Sequence, residues 1–311
     1  MRPDRPRPLI LEVAGIGLQV CPADPAVTLI AGPSHLPFLA GAPGRDCASV
    51  EIAARGGRPA PRTRGKTIFE TGSVWRLEEV GENRLLTFRS AVYGREPYLA
   101  VEFDREFDQG RGETLVGGPL LAAGEMHPFV YPFDEVVFLA RLSRARGVLV
   151  HACGLTVDGQ GVLFLGTSGA GKSTTARMWQ ERGGVTILSD DRIVLRTEGD
   201  GYRIYGTPWH GEAGLEAAVS APLRAVFILE QAPRTRLVEI APASAVAQMM
   251  VRAFPAMWDQ DGLEFAVRFL SDLVQRVPVR KLQFLPDRTA VDTILAAMEQ
   301  PAREPAPPER R

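Results

Sequence analysis

The run VLFLGTSGAGKSTTARMW, Val162 to Trp179, decides how the rest of this 311-residue chain is read. Four apolar residues lead into a glycine-rich turn, and the turn opens a segment that reads as a helix. Gly166, Gly171, Lys172 and Ser173 fit the phosphate-loop spacing, and the strand before and helix after are the context a working loop needs. Glycines let successive backbone N–H groups turn inward around phosphate oxygens. The following helix presents its unpaired N–H groups and positive dipole end to the same anion. Gly166, Thr167, Ser168, Gly169, Ala170, Gly171, Lys172, Ser173 and Thr174 are therefore the expected nucleotide cradle. Lys172 is placed to reach the β and γ phosphates of ATP. Ser173 offers its hydroxyl oxygen to magnesium, a hard cation that prefers oxygen ligands and arrives with the nucleotide.

A phosphate cradle alone defines only a nucleotide binder. A carboxylate at a neighbouring strand end is the next requirement, and VTILSDD supplies Asp190 and Asp191. Adjacent residues of an extended strand point to opposite faces, so one aspartate can face magnesium while the other faces an incoming hydroxyl as general base. Spacing does not say which. The alternative is a turn-forming or salt-bridged pair beside Arg192. His151 lies among apolar residues in the strand before the cradle, where both a core and a catalytic role are open. His210 and Glu212 sit in the loop GTPWHGE, which reads either as a buried turn or as facing substrate or metal. Arg234 and Arg236, after the strand RAVFILE, are candidates for neutralising a transferred phosphoryl group or plain surface residues. His35 and His127 have no partner the sequence identifies.

Further out, alternating runs between about residues 8 and 115 predict a β-rich N-terminal region, 1–120, of unassigned role. AGAPGRDC and ARGGRPAPRTRGK read as loops within it. A second domain is expected over 126–299. It opens with a helix after Asp134 that ends at Gly147, then a hairpin around DGQG, the cradle and its helix. The strand VTILSDD and a strand pair around EGDG come next, then the strand RAVFILE. A helical stretch over about 243–276, the strand VRKLQFL and a closing helix AVDTILAAMEQ complete it. The Pro-rich tail, 300–311, is expected to be disordered.

Composition bounds the class. The chain is 45% hydrophobic and 23% charged, with a formal net charge of -1, which is globular and gives no basic surface for nucleic acid. Only three of the 36 cationic residues are lysines, Lys66, Lys172 and Lys281, so a lysine inside the cradle stands out. Its compact ammonium suits terminal phosphates better than a planar guanidinium does. Cys21, Cys47 and Cys153 are odd in number and lack Cys-x-x-Cys spacing, which fits a reducing cytoplasm. No apolar run approaches the roughly 18 residues of a membrane span. The start MRPDRPRPLILEV carries prolines and Glu12 that spoil it as a secretory signal.

VHACGLTVDGQGVLFLGTSGAGKSTTA (150–176) and LSDDRIVLR (188–196) together resemble the catalytic domain of the HPr kinase/phosphorylase family, which phosphorylates a serine on a carrier protein. The resemblance implies a mixed α/β fold like the nucleotide-binding part of ATP-dependent phosphoenolpyruvate carboxykinase. It matches His151, Lys172, Ser173, Asp190 and Asp191 to the family's histidine, lysine, metal-binding serine and acidic catalytic positions. Thr174 departs from the family's usual glutamate, and Glu212 stands where a second metal-side glutamate would be sought. The tight match covers about 45 residues. The β-rich region is unlike the family's usual N-terminal domain, so HPr itself is not the expected acceptor. The chain looks more like the HPr-kinase-related proteins of bacterial gene clusters, some of which modify peptides. The expectation is a cytoplasmic ATP- and Mg2+-dependent kinase acting on a serine, or another hydroxyl, of a protein or peptide. It is expected to bind neither nucleic acid nor membrane, and a homo-oligomer is left open. A nucleotide-dependent switch ATPase and a carboxykinase are the alternatives.

Overall fold

The computed structural model of the chain describes residues 7–56, 65–72, 74–94, 97–144, 147–167 and 169–299. Ser168, the tail 300–311 and most of the loop ARGGRPAPRTRGK lie outside them. Contacts divide the chain into two units, Met1–Arg141 and Leu142–Arg311.

In chain order the first unit contains β1 (Leu9–Val13), β2 (Ile16–Pro22), β3 (Thr28–Leu29), β4 (Cys47–Arg55), β5 (Lys66–Glu70) and β6 (Trp75–Val80). It continues with β7 (Asn83–Phe88), β8 (Leu99–Phe103), β9 (Gln109–Leu115), β10 (Leu121–Ala122), β11 (Glu125–Met126) and helix α1 (Phe133–Leu142). Eight of these strands form one sheet in the order β1-β2-β4-β9-β8-β7-β6-β5, and β10-β11-β3 form a small second sheet. Strict alternation drives the large sheet: Leu18, Val20, Val50 and Ile52 are fully buried, while Gln19, Cys21 and Glu51 between them are not.

Helix α1 was expected to open the second domain, yet it belongs with the first unit for reasons its side chains make plain. Phe133 meets Phe88 edge-on at 5.7 Å. Arg141 is ion-paired to both Asp46 and Asp108. Buried Asp134 takes a contact at 3.0 Å from His35, the partner the sequence did not reveal. The helix also ends at Leu142 rather than at Gly147, which instead starts the next strand. A Cβ on Gly147 would stand 2.8 Å from a Leu142 methyl and 3.2 Å from Leu195 O.

The second unit holds β12 (Gly147–Val157), β13 (Gln160–Leu165), α2 (Lys172–Arg182), β14 (Val185–Ser189), β15 (Arg192–Glu198), β16 (Gly201–Tyr205) and β17 (Ser220–Gln231). After these come β18 (Arg236–Glu239), α3 (Pro242–Met250), β19 (Ala253–Phe254), α4 (Gln260–Arg276), β20 (Val279–Phe284) and α5 (Arg288–Glu299). The sheet is mixed: β13–β17 and β17–β20 are parallel, the other pairs antiparallel. Because β13 pairs with both β12 and β17, and β15 and β16 join those two strands on the other side, the pairing closes on itself. The expected hairpin is present, with Asp158 and Gly159 at positive φ as a two-residue loop demands.

β13 is apolar on both faces because both are covered. Leu163 and Leu165 join a core with Met249 of α3 and Phe269, Leu270 and Leu273 of α4. Val162 and Phe164 join another with Ala176 and Trp179 of α2 and Ile294 of α5. The helical stretch expected over 243–276 is two helices, separated by Val251–Asp259. Pro255 cannot continue a helix and pushes Phe254 into extended backbone. Ala253 and Phe254 accordingly pair with β12 as β19, and Asp259 caps α4 by accepting from Asp261 N at 3.2 Å. Among the described residues no helix is long and apolar enough to cross a membrane.

Candidate functional site

The site forms where β12 exchanges partners. Along one edge β12 pairs with β13 over Ala152–Val157 and with β19 at Leu149 and Val150. The chain leaves β13 at Gly166, and His151 N donates to Arg252 O at 2.7 Å just before β19. On the other edge β14 and β15 follow each other, with Gly154 opposite Ser189 and His151 opposite Arg192. Asp190 and Asp191 therefore lie opposite Cys153 and Ala152, at a break in the strand and beside the turn that follows β13. A crevice at such a switch in strand pairing is where α/β sheets place ligands.

The turn from β13 to α2 has a conformation that its glycines permit. Gly171 has φ of 104°, and a Cβ there would stand 2.9 Å from the Phe284 ring. A Cβ on Gly166 would meet that of Ala170 at 2.7 Å. Gln231 Nε2, at the end of β17, donates to Gly169 O at 3.0 Å, and Thr175 Oγ1 to Gly171 O at 2.9 Å. Lys172 is the first residue of α2 and is 8% exposed. Its ammonium donates to Gly166 O at 3.0 Å and Thr167 O at 3.4 Å, folded onto carbonyls of its own loop. Burial pushes this ammonium below its usual pKa. The Asp191 charge opposes the shift, while Arg252 and Arg192 add to it. Ser173 is partly exposed on the first turn and Thr174 is exposed.

The two aspartates lie in the bend between β14 and β15, and their side chains take different partners. Asp190 is 2% exposed, and both its oxygens are occupied by backbone amides, Gly211 N at 2.7 Å and Ala213 N at 3.0 Å. It pins the GTPWHGE loop. Asp191 is a quarter exposed, lies 3.0 Å from His151 Nδ1 and is ion-paired to Arg192. Burial pushes the Asp191 carboxyl up, but the His151 hydrogen bond and the charges on Arg192, His151 and Lys172 together hold it below the usual carboxylate range. Arg192 Nη1 also stands 2.9 Å from His151 Nδ1. That nitrogen carries a proton when it bonds Asp191 and is bare when it accepts from Arg192, so the tautomer selects between the two contacts. Ser189 Oγ fixes the bend, accepting from Asp191 N and Arg192 N and donating to Trp209 O at 3.2 Å. Cys153 is fully buried, and burial with the Asp190 charge pushes its thiol up to about 12 against the pull of Lys172, so it is no nucleophile at neutral pH.

Three residues that the sequence did not single out for the site belong near it. Arg192 lies over the Phe254 ring at 4.3 Å. Arg252 was hidden in a stretch read as helix. It donates to Gln248 O at 2.7 Å, and its buried Nε has no hydrogen-bond partner. Glu216, opposite Ser189, has a buried Oε2 without a partner, whereas Glu212 is exposed. Lone charged residues at a strand end or in a loop give no period to find them by. His210 is exposed, with Nδ1 2.9 Å from Gly211 O, and Arg236 donates to Gln283 Oε1 at 2.6 Å on the outer strand β18. Among the described residues no three His, Cys, Asp or Glu side chains gather as a metal site. Magnesium that arrives on phosphates needs only one or two protein ligands, and the hydroxyl of Ser173 and the carboxylate of Asp191 are of the right hardness.

A family model described as "SynChlorMet cassette protein ScmC" matches residues 133–281. No curated protein matches the chain. Among solved structures, the Hpr(Ser) kinase/phosphatase from Coxiella burnetii aligns with 18% identity over 49% of this chain and 99% of that one, at a TM-score of 0.28. An alignment at that score does not establish a common geometry.

Proposed function

We propose that the second unit is an ATP- and Mg2+-dependent phosphotransferase that acts on a hydroxyl, a serine of a protein or peptide. One observation carries the reading: a strand–glycine turn–helix whose buried lysine folds onto its own loop carbonyls lies beside a carboxylate held by a histidine and an arginine. When bound, the magnesium nucleotide supplies the phosphoryl group and a cation to neutralise it. The amides of Gly166–Thr174 would hold the phosphates. Lys172 would exchange Gly166 O for phosphate oxygen, a replacement that restores charge pairing to a desolvated ammonium. Ser173 would be the hydroxyl nearest the metal, and half-buried Glu216, whose Oε2 is buried without a hydrogen-bond partner, fits a supporting place there better than exposed Glu212.

Asp191 is the carboxylate assigned to the acceptor. Its oxygen takes the hydroxyl proton, and His151 Nδ1 keeps it oriented. Its lowered basicity is tolerable because phosphoryl transfer runs through a loose transition state that asks more of positioning and charge than of a strong base. Arg192 and Arg252 supply further positive charge for the transferred group. Asp190 serves by holding the loop. Incubating the chain with radiolabelled ATP and the products of adjacent genes tests the reading, and label on an acceptor is expected. Free phosphate without transfer would favour the switch ATPase, and nucleotide-dependent decarboxylation of oxaloacetate the carboxykinase.

A further inference from the structure

On the edge away from β12, strand β15 loses its partner before it reaches the site. Its register with β16 sets Val194 opposite Tyr205, and Gly206 then turns off to donate to Val219 O at 2.9 Å. Ala152 N donates to Asp191 O at 3.0 Å, so the next pair along, His151 and Arg192, is one whose backbone groups point away from each other. The N–H and C=O of Arg192 therefore face the edge that β16 has left.

Two hydroxyls take the place of the missing strand. Thr207 Oγ1 donates to Arg192 O at 2.7 Å, while Ser189 Oγ accepts from Arg192 N at 3.2 Å and from Asp191 N at 3.3 Å. Ser189 in turn donates to Trp209 O at 3.2 Å, which ties the bend to the loop that Asp190 holds. Both residues are fully buried. A hydroxyl closed off from water must find its partners in the protein, and all of these lie in the bend or in the loop beside it. The Arg192 side chain that leaves this backbone is ion-paired to Asp191 and stands 2.9 Å from His151 Nδ1.

We infer that Ser189 and Thr207 are positioning residues of the site: together they fix the backbone of Asp191 and Arg192, and so keep carboxylate, guanidinium and the His151 imidazole in one arrangement. Buried as they are, neither can touch nucleotide or acceptor. The inference deepens the phosphotransfer reading and rests on it for the kinetic arm of its test alone.

Thr207→Val keeps the volume and removes the hydroxyl, Thr207→Ser keeps the hydroxyl, and Ser189→Ala removes the other partner. Label transfer from ATP to the products of adjacent genes, measured for the full chain, should show kcat lowered about 10–10²-fold in Thr207→Val and Ser189→Ala with KM for ATP within about twofold of the parent, the pattern of a misplaced catalytic group. Thr207→Ser should restore most of the rate. The double variant, Ser189→Ala with Thr207→Val, should lose little more than the worse single one, because both hydroxyls hold one backbone. Without nucleotide, the ring-nitrogen NMR signals of His151 should move in both hydroxyl-less variants while those of His35 in the first unit stay, and backbone spectra of the same samples report the fold. A kcat unchanged in both variants, equal losses in Thr207→Ser and Thr207→Val, or a rise in KM alone would overturn the inference. Label transfer absent from the parent would count against the phosphotransfer reading only, and the His151 signals would then decide: unmoved signals overturn the inference, and moved signals in a folded variant uphold it. Should Ser189→Ala unfold, the volume-preserving Thr207→Val decides alone.

Discussion

The two sheets differ in how long a strand keeps its neighbours. In the first unit β8 pairs with β7 on one side and β9 on the other along its whole length, and Leu99–Phe103 has no break at which a loop could enter. In the second, β12 changes partner on both edges, from β13 to β19 and from β14 to β15, and both exchanges fall at His151–Gly154. Wherever a strand changes partner, chain ends diverge and backbone groups and side chains face a gap. Candidate chemistry collects in the second sheet at that gap, while the first offers a continuous surface.

The strongest way to break this contrast is a pair of lysine substitutions. Lys172→Met should lower ATP-dependent labelling about 10²–10³-fold, the scale of losing one preorganised charge-stabilising donor. Lys66→Met, on the outer strand β5 of the first unit, should leave it unchanged. Equal losses would place chemistry in both units and remove the distinction.

Next in size is Asp190→Ala. It leaves the half-buried amides of Gly211 and Ala213 without their acceptor, so a loss of about 1–3 kcal/mol is expected from urea unfolding. Asp190→Asn should recover part of it, because one amide oxygen still accepts. Were the alanine variant as stable as the parent, Asp190 would not be the clamp of the loop and would return as a candidate for catalysis. Gly171→Ala comes third, at about 1–3 kcal/mol, from a side chain forced to a φ of 104° and against the Phe284 ring. Gly159→Ala in the hairpin is the comparison: its φ is 74° but its Cβ would meet nothing, so it should cost less.

These residues also mark what the sequence made legible. The cradle, its strand and its helix could be read because glycine positions and hydrophobic runs are local. The hairpin at Asp158–Gly159 could be read for the same reason. Pro255 is the local mark of the break within the 243–276 stretch, and reading that stretch as helical also hides Arg252, which lies at the break. The closure of the sheet through β13 and β17 depends on pairings between residues more than 60 apart, for which a single sequence has no local mark. The partition between Asp190 and Asp191 was half legible. An adjacent pair at a strand end suggested two different roles, but the bend at Asp190–Asp191 and the loop amides of Gly211 and Ala213 decide which aspartate is engaged.

The smallest expected effect is the most discriminating for Asp191. Its carboxyl is held below the usual range by the hydrogen bond from His151 and the charges of Arg192 and Lys172, which outweigh burial. A group whose folded pKa is depressed adds stability that is fully present above the unfolded value, near 4, and is lost as pH falls through the folded value. Asp191→Asn removes that contribution. The stability gap between parent and variant should therefore be widest at neutral pH and close progressively as acid takes the pH from about 4 down through the lowered value. Because the carboxylate is a quarter exposed, solvent screens the pairing and the gap stays modest. If the Asp191 gap stayed constant across the acid range, the His151 and Arg192 contacts would not be holding the ionised form, and the carboxylate assigned to the acceptor would lack its preorganisation.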